Sequence, residues 1–188
     1  LSDLLYISGG PTKPEVISVS LSKLDLHDGD TFVDLGCGTG AVSIEASKMR
    51  QGLKIYAIDS RSEAIDTAAQ NFETYQLQDV DLIHGESSKV LTENADIDSI
   101  DSAFIGGTKN INQVLEILVD KGVKNLVINA VRMETVVKAM QKMRDMDIFD
   151  EVLHLSVSHG TPIAGETMFK PDNPVYIIVG KSQSRLNQ

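Results

Sequence analysis

Cysteine occurs once in the 188 residues, tryptophan is absent, and aromatic side chains make up only 5%. The lone Cys37 excludes an internal disulfide, and no Cys/His group has the spacing of a metal site, so no metal is expected. Without a base beside it in the sequence, Cys37 reads as a small residue in a tight turn and not as a nucleophile. No apolar run approaches the roughly 20 residues needed to span a bilayer, and the first residues lack the basic and apolar regions of a signal peptide. A soluble protein of the cytoplasm, without membrane contact, is the expectation. Basic runs are missing too. With 17 Lys and Arg against 27 Asp and Glu, the net charge is −10, which argues against nucleic acid as a partner. The chain opens on Leu1 and not Met, so a few residues are expected to precede it.

What is present is a glycine turn between two regular elements. Asp34-Leu35-Gly36-Cys37-Gly38-Thr39-Gly40 follows the apolar run Thr31-Phe32-Val33 and opens the helical pattern that starts at Ala41. A strand, a glycine turn and a helix let a nucleoside cofactor approach bare backbone. Asp59 closes the next apolar run, nineteen residues beyond Gly40, with Ser60 beside it, and is placed to grip a ribose. Glycine spacing alone admits a dinucleotide, since Gly36-x-Gly38-x-x-Ala41 satisfies its loose fingerprint. Asp34 separates the two cofactors: a carboxylate there repels a pyrophosphate but can bind, directly or through water, the amino group of a methionine moiety. The pattern therefore favours S-adenosylmethionine and resembles the class I methyltransferases.

Short β-like runs near 31–35, 54–58, 80–84, 101–105 and 124–129 alternate with helical patterns near 40–50, 61–74, 110–119 and 132–146. This alternation predicts an α/β fold, a mainly parallel sheet with helices on both faces, formed by one domain over 1–188. Runs at 149–157 and 174–180 have no helical pattern between them, so they should pair antiparallel. Thr12-Lys13-Pro14-Glu15 reads as a capping box with Thr12 as cap, starting a helix over about 14–24. The preceding Gly9-Gly10-Pro11-Thr12 is either a loop that folds over the cofactor or a plain turn.

Ligands of an open parallel sheet bind beyond the carboxyl ends of its strands. That rim carries Gly85, Glu86 and Ser87, suited to an adenine or else to a helix start, and Gly106-Gly107-Thr108, which leave room for a substrate or form a simple turn. Met133, Met140 and Met143 recur at helical spacing and should pack in the core. His27, His84 and His154 read as structural or surface residues. The sixteen residues 158–173 have no clear element of their own, and a loop of that length either serves a site or is a solvated hairpin excursion; it carries His159, Thr161, Glu166, Thr167, Met168 and Lys170.

Together these segments resemble the CbiT-type cobalt-precorrin C15-methyltransferases (decarboxylating) across nearly the whole chain. The resemblance runs through Pro11 to Glu15, Asp34 to Gly40, Phe104-Ile105-Gly106-Gly107, Asn129-Ala130-Val131, Val157-Ser158-His159-Gly160, Met168-Phe169-Lys170 and Asn173 to Ile178. His159 stands where the family pattern has arginine, and Pro14 where it has an acidic residue. The resemblance implies a Rossmann-like, seven-stranded sheet with an antiparallel final strand. It also implies methylation of carbon 15 of a cobalt-precorrin of the 6B type, with decarboxylation of the carbon 12 acetate, in cobalamin biosynthesis. The expected cofactor set is Thr12, Asp34, Gly36, Cys37, Gly38, Gly40, Asp59, Ser60, Gly85, Glu86 and Ser87; the substrate rim is Gly106, Gly107, Lys13, His159 and Lys170, while Lys109 and Arg132 are further cations by their place at the rim and not by the family pattern. A homo-oligomer, a tetramer, and a separate carbon 5 precorrin methyltransferase are the implied partners. The alternatives are a transfer-RNA adenine or other small-molecule methyltransferase, and a catalytically silent subunit that binds S-adenosylmethionine. The charge of −10 and the few aromatics disfavour the nucleic-acid reading.

Overall fold

The computed structural model describes residues 3–7, 10, 12–107 and 109–182. Helix α1 (Pro14–Leu24) precedes β1 (Thr31–Leu35), α2 (Ala41–Met49), β2 (Lys54–Asp59), α3 (Ser62–Thr74), β3 (Val80–His84), α4 (Ser87–Glu93), β4 (Ser102–Ile105), α5 (Ile111–Asp120), β5 (Asn125–Ala130) and α6 (Met133–Asp145). Four strands finish the described chain: β6 (Phe149–Leu155), β7 (Ser158–Ile163), β8 (Glu166–Pro171) and β9 (Val175–Lys181). The main sheet has seven strands in the order β3-β2-β1-β4-β5-β9-β6, and β7-β8 form a separate two-stranded sheet. Strand β9 runs antiparallel to both β5 and β6, so the last strand enters between its neighbours, as the pairing of the late runs requires.

Strands β1 and β2 read as near-continuous apolar runs because helices cover both faces. Phe32 packs with Ile17 and Leu21 of α1 and Val42 of α2, while its neighbour Val33 points to the opposite layer, with Leu91 of α4, Leu115 of α5 and Ala139 of α6. Asp34 shares the face of Phe32 and is buried there. The reversal of strand order beside β1 opens a crevice at the carboxyl ends of β1 and β4. Among the described residues, no helix is long and apolar enough to cross a membrane.

Three expectations are corrected. Helix α1 spans 14–24, but its N-cap is Lys13, with φ −64° and ψ 145° and no side-chain cap, not Thr12. A residue before proline is pushed out of the helical region, so the helix starts one position later than a Thr12 box would require. Glu15 makes no return bond to a cap, and its Oε2 is buried without a partner. Residues 158–173 do have elements of their own: they form a hairpin, as one of the two alternatives had it, whose turn, Ala164-Gly165, has φ of 49° and 84°, the doubly left-handed geometry of a tight hairpin turn. Of the methionines, Met143 is core and Met140 packs against it, whereas Met133 is 52% exposed because it opens the first turn of α6 at the rim. The helix start offered as the alternative at Gly85, Glu86 and Ser87 is there: Glu86 is the N-cap of the short helix α4. Gly9, Pro11 and Thr108 lie outside the described residues.

Candidate functional site

Two cavities meet at the carboxyl ends of β1, β4 and β5. The smaller, about 130 Å3, is bounded by Asp34, the glycine loop, Thr12, Ile7 and Arg61. The larger is a cleft of about 710 Å3 between α1, the end of β5, the start of α6 and the base of the β7-β8 hairpin. Gly106, Thr12 and Gly10 belong to both.

The glycine loop closes over β2 through its backbone. Gly36 N and Cys37 N both donate to Ile58 O, at 2.8 and 3.0 Å. Gly36 has φ +76°, and a Cβ there would stand 2.5 Å from Gly107 N, so loop and strand-four rim touch with no side chain between them. Gly40 has φ +79°, and a Cβ would meet the Phe72 ring at 2.3 Å, so α2 can begin there only on glycine.

Asp34 sits at the end of β1, where Ser43 Oγ of α2 donates to its Oδ2 at 2.7 Å. Its other oxygen, Oδ1, is buried with no partner. Burial pushes the carboxyl up to a pKa of about 7; the Ser43 hydrogen bonds oppose this and the negative Asp59 adds to it. An unsatisfied buried acceptor is costly, and a cationic amino group supplies the missing donor and charge. The residues therefore fit the methionine end of S-adenosylmethionine.

Asp59, at the end of β2, is buried and fully bonded. Gly38 N donates to Oδ2 at 2.9 Å and Arg61 N to Oδ1 at 3.0 Å. The Arg61 guanidinium adds Nε to Oδ1 and Nη2 to Oδ2, both at 3.0 Å. Burial alone would raise this carboxyl; the Arg61 hydrogen bonds and charge, with the backbone donors, hold it below the usual carboxylate range. Cys37 is also buried, and burial together with the negative Asp34 and Asp59 pushes its thiol far above the usual value, which rules it out as a thiolate nucleophile.

The small cavity thus gathers Thr12, Asp34, Gly36, Cys37 and Gly38, with Gly106 on its acceptor side. Gly40 stands behind it as the N-cap of α2. Asp59, Ser60, Gly85, Glu86 and Ser87 do not line it; in place of Asp59 it is Arg61, bonded to that carboxylate, that faces the cavity. Gly85 N donates to Asp59 O at 2.9 Å, and Glu86 caps α4 by accepting from Lys89 N at 3.1 Å. Burial would raise the Glu86 carboxyl, but hydrogen bonds from Ser88, Lys89 and Asn110 bring it below its ordinary value. On the acceptor side Lys13 lines the cleft, whereas Gly107, His159 and Lys170 do not. His159 is paired with Asp172, which does line it, at 3.1 Å, and Lys170 lies opposite His159 across the hairpin.

Several residues at the site carry no local signal in the sequence. Arg61 is one. Asn71 of α3 is another: its Nδ2 donates to Leu5 O at 2.9 Å and Thr39 O at 2.8 Å, and its Oδ1 accepts from Leu5 N at 2.9 Å. This buried amide ties the chain start to the glycine loop and brings Ile7 to the cavity. In the cleft, Asn129 is held by the buried Ser20 of α1, Oγ to Oδ1 at 3.1 Å, and Arg132, already expected as a rim cation, stands at the start of α6. A polar residue ending an apolar strand run was the available sign for Asn129. Among the described residues, no group of three His, Cys, Asp or Glu side chains could hold a metal.

Comparison with known proteins agrees with this geometry. A family model described as precorrin methyltransferase domain matches residues 5–181. A protein of Methanosarcina acetivorans named "probable cobalt-precorrin-6B C(15)-methyltransferase (decarboxylating)" is 56% identical over 184 residues, 98% of this chain and 100% of that one. A crystal structure from Methanobacterium thermoautotrophicum, described as precorrin 8W decarboxylase, superposes with a TM-score of 0.87 at 30% identity, covering 96% of this chain and 98% of that one. A Geobacter metallireducens structure, described as precorrin-6y C5,15-methyltransferase, gives 0.89 at 28% identity and 96% of each chain. The strand order, the glycine-loop cavity and the match along nearly the whole length lead to one assignment: this chain belongs to the precorrin methyltransferase domain family.

Proposed function

We propose that this chain methylates carbon 15 of a cobalt-precorrin of the 6B type, with S-adenosylmethionine as donor, and releases the carboxyl of the carbon 12 acetate as carbon dioxide, in cobalamin biosynthesis. The observation that carries this reading is the wall shared at Gly106: a narrow cavity with an unpartnered buried carboxylate on one side, a cleft of about 710 Å3 on the other. The full-length relative named for this reaction supports the substrate.

S-Adenosylmethionine supplies an electrophilic methyl group to an electron-rich ring carbon. The protein's own task is then to align and to dry the site. Asp34 Oδ1 holds the amino group, Asp59 the ribose hydroxyls, and the glycine loop admits the nucleoside. Gly106, lacking a side chain, leaves the path between the cavities open. Lys13 and Arg132 offer charge to the acceptor's carboxylates within an otherwise acidic protein. Lys170, on the hairpin outside the cleft lining, acts on the same substrate at longer range with His159 beside it, and Gly107 and Lys109 complete the rim. Loss of the acetate carboxyl as carbon dioxide sends the electron pair of the broken bond toward the macrocycle, and the remaining methylene takes up one proton to become a methyl group. We further read the chain as one cytoplasmic domain that assembles as a homotetramer and works beside a separate carbon 5 methyltransferase.

Incubation with S-adenosylmethionine and cobalt-precorrin-6B, followed by mass analysis, tests this. The expected product has gained one methyl and lost one carboxyl. Unchanged tetrapyrrole with methylated transfer RNA in a parallel assay would transfer the site to the nucleic-acid reading.

A further inference from the structure

Asp59 has no room left for a ribose. A carboxylate offers about four lone-pair positions. Here two are taken by backbone donors, Gly38 N and Arg61 N, and the remaining two by Arg61 Nε and Nη2. The backbone donors belong to the loop and to the turn into α3, so they remain whatever binds. The two guanidinium donors reach back from a side chain that is 51% exposed, while the Asp59 side chain is 4% exposed. One partner is fixed and hidden; the other is long and half in solvent.

We propose that Arg61 is a latch on the cofactor site: its guanidinium occupies the two Asp59 acceptor positions that the vicinal hydroxyls of a nucleoside require, and it swings off when the nucleoside binds. Two parallel donors of a planar fork match a carboxylate as two adjacent hydroxyls do, so the side chain and the diol compete for one receptor. The pair also compensates the buried Asp59 while the cavity holds no nucleoside, which an unpartnered carboxylate would make costly. Arg61 lines the small cavity, and a Cβ on Gly38 would stand only 3.8 Å from Nη2, so the latched side chain lies against the glycine loop itself. Arg61 is thereby a residue that sets nucleoside affinity without contributing a contact to the bound state. The inference rests on the S-adenosylmethionine reading of the site.

The experiment compares wild type, Arg61→Met, which keeps the apolar stem, and Arg61→Lys, which keeps the charge but loses the fork. Calorimetric titrations use S-adenosylhomocysteine, adenosine and 2′,3′-dideoxyadenosine. With the latch removed, Arg61→Met should bind S-adenosylhomocysteine and adenosine about three- to tenfold more tightly than wild type, the range of one exposed bidentate pair. Arg61→Lys should fall between. The gain should vanish for dideoxyadenosine and in an Asp59→Ala background. Equal or weaker adenosine binding by Arg61→Met overturns the latch, as does a gain that persists with the dideoxy compound. In the wild-type protein, a slowly exchanging Arg61 Nε–H signal in nitrogen-detected NMR should disappear on saturation with adenosine; its persistence would also overturn the proposal. If the wild type binds adenosine but not S-adenosylhomocysteine, the methionine half of the functional reading fails while the latch is still decided by adenosine.

Discussion

On the glycine-loop side of the Gly106 wall the cavity is narrow and its one lining carboxylate, Asp34, is buried, whereas on the acceptor side a cleft of about 710 Å3 is edged by exposed Lys13 and Arg132. The first side recognises by backbone and fixed acceptors, where a displacement of one atom matters. The second recognises by shape and by screened charge, where single residues count for little. Differences of this kind follow from the ligands each side would hold. A nucleoside presents a few donors at fixed positions, and a tetrapyrrole presents a broad plate fringed with carboxylates.

The contrast breaks most sharply at Gly36. In Gly36→Ala the new Cβ would overlap Gly107 N in a backbone conformation unfavourable to alanine, so S-adenosylhomocysteine affinity should fall by on the order of a hundredfold in calorimetry. Retained affinity would mean that loop and rim can part without loss.

Asp59→Ala should weaken the same ligand by roughly tenfold, since two charge-assisted hydrogen bonds are lost but the competing Arg61 pair goes with them. Asp34 gives a pH signature. It must be ionised to hold an amino group, and its pKa of about 7 means that affinity should rise with pH through neutrality. Below that value the loss should approach tenfold per pH unit, and Asp34→Asn should flatten the profile.

Stability moves the other way. The folded state binds this proton more tightly than the unfolded state, whose carboxyl titrates near 3.8, so stability should fall as pH rises from about 4 to about 7. Below that window both states are protonated and the cost disappears. Denaturant unfolding of wild type and Asp34→Asn across the window checks the sign.

The acceptor side should respond weakly. Arg132→Glu is expected to raise the tetrapyrrole KM by roughly fivefold, more in low salt, because the charge is exposed. Lys170→Glu, on a hairpin strand outside the cleft lining, should change it by about twofold and leave cofactor affinity unaltered. If Lys170→Glu proved more damaging than Arg132→Glu, the hairpin would have to close onto the substrate.

Much of this layout was legible in the sequence for a physical reason. Strands covered on both faces, such as Thr31–Leu35 and Asn125–Ala130, appear as apolar runs, and the turns that follow them mark the sheet rim. The hairpin was legible only as one of two alternatives, because its strands are exposed on both faces and show no alternation, and because its turn is Ala164-Gly165 and not an Asn-Gly pair. Helix α4 was legible only as the alternative of a helix start at Glu86 and Ser87, because the seven residues from Ser87 to Glu93 contain only Val90 and Leu91 to mark a face. The glycine loop and its two carboxylates were readable as types at a spacing. Their state was not: that Asp34 keeps one oxygen unpartnered, and that Asp59 is already clasped by Arg61, depends on distances no spacing encodes.

The Asn71 amide has a practical corollary for anyone handling this protein. Because one buried side chain grips both Leu5 and Thr39, the beginning of the chain and the glycine loop share a single fastener. A purification tag, a fusion partner or a protease cut that pulls Leu5 away would slacken the nucleoside pocket at a distance, while an extension after β9 would not touch that fastener. Purification handles belong at the carboxyl end, and an amino-terminal fusion that loses cofactor affinity should regain it once the fused segment is removed.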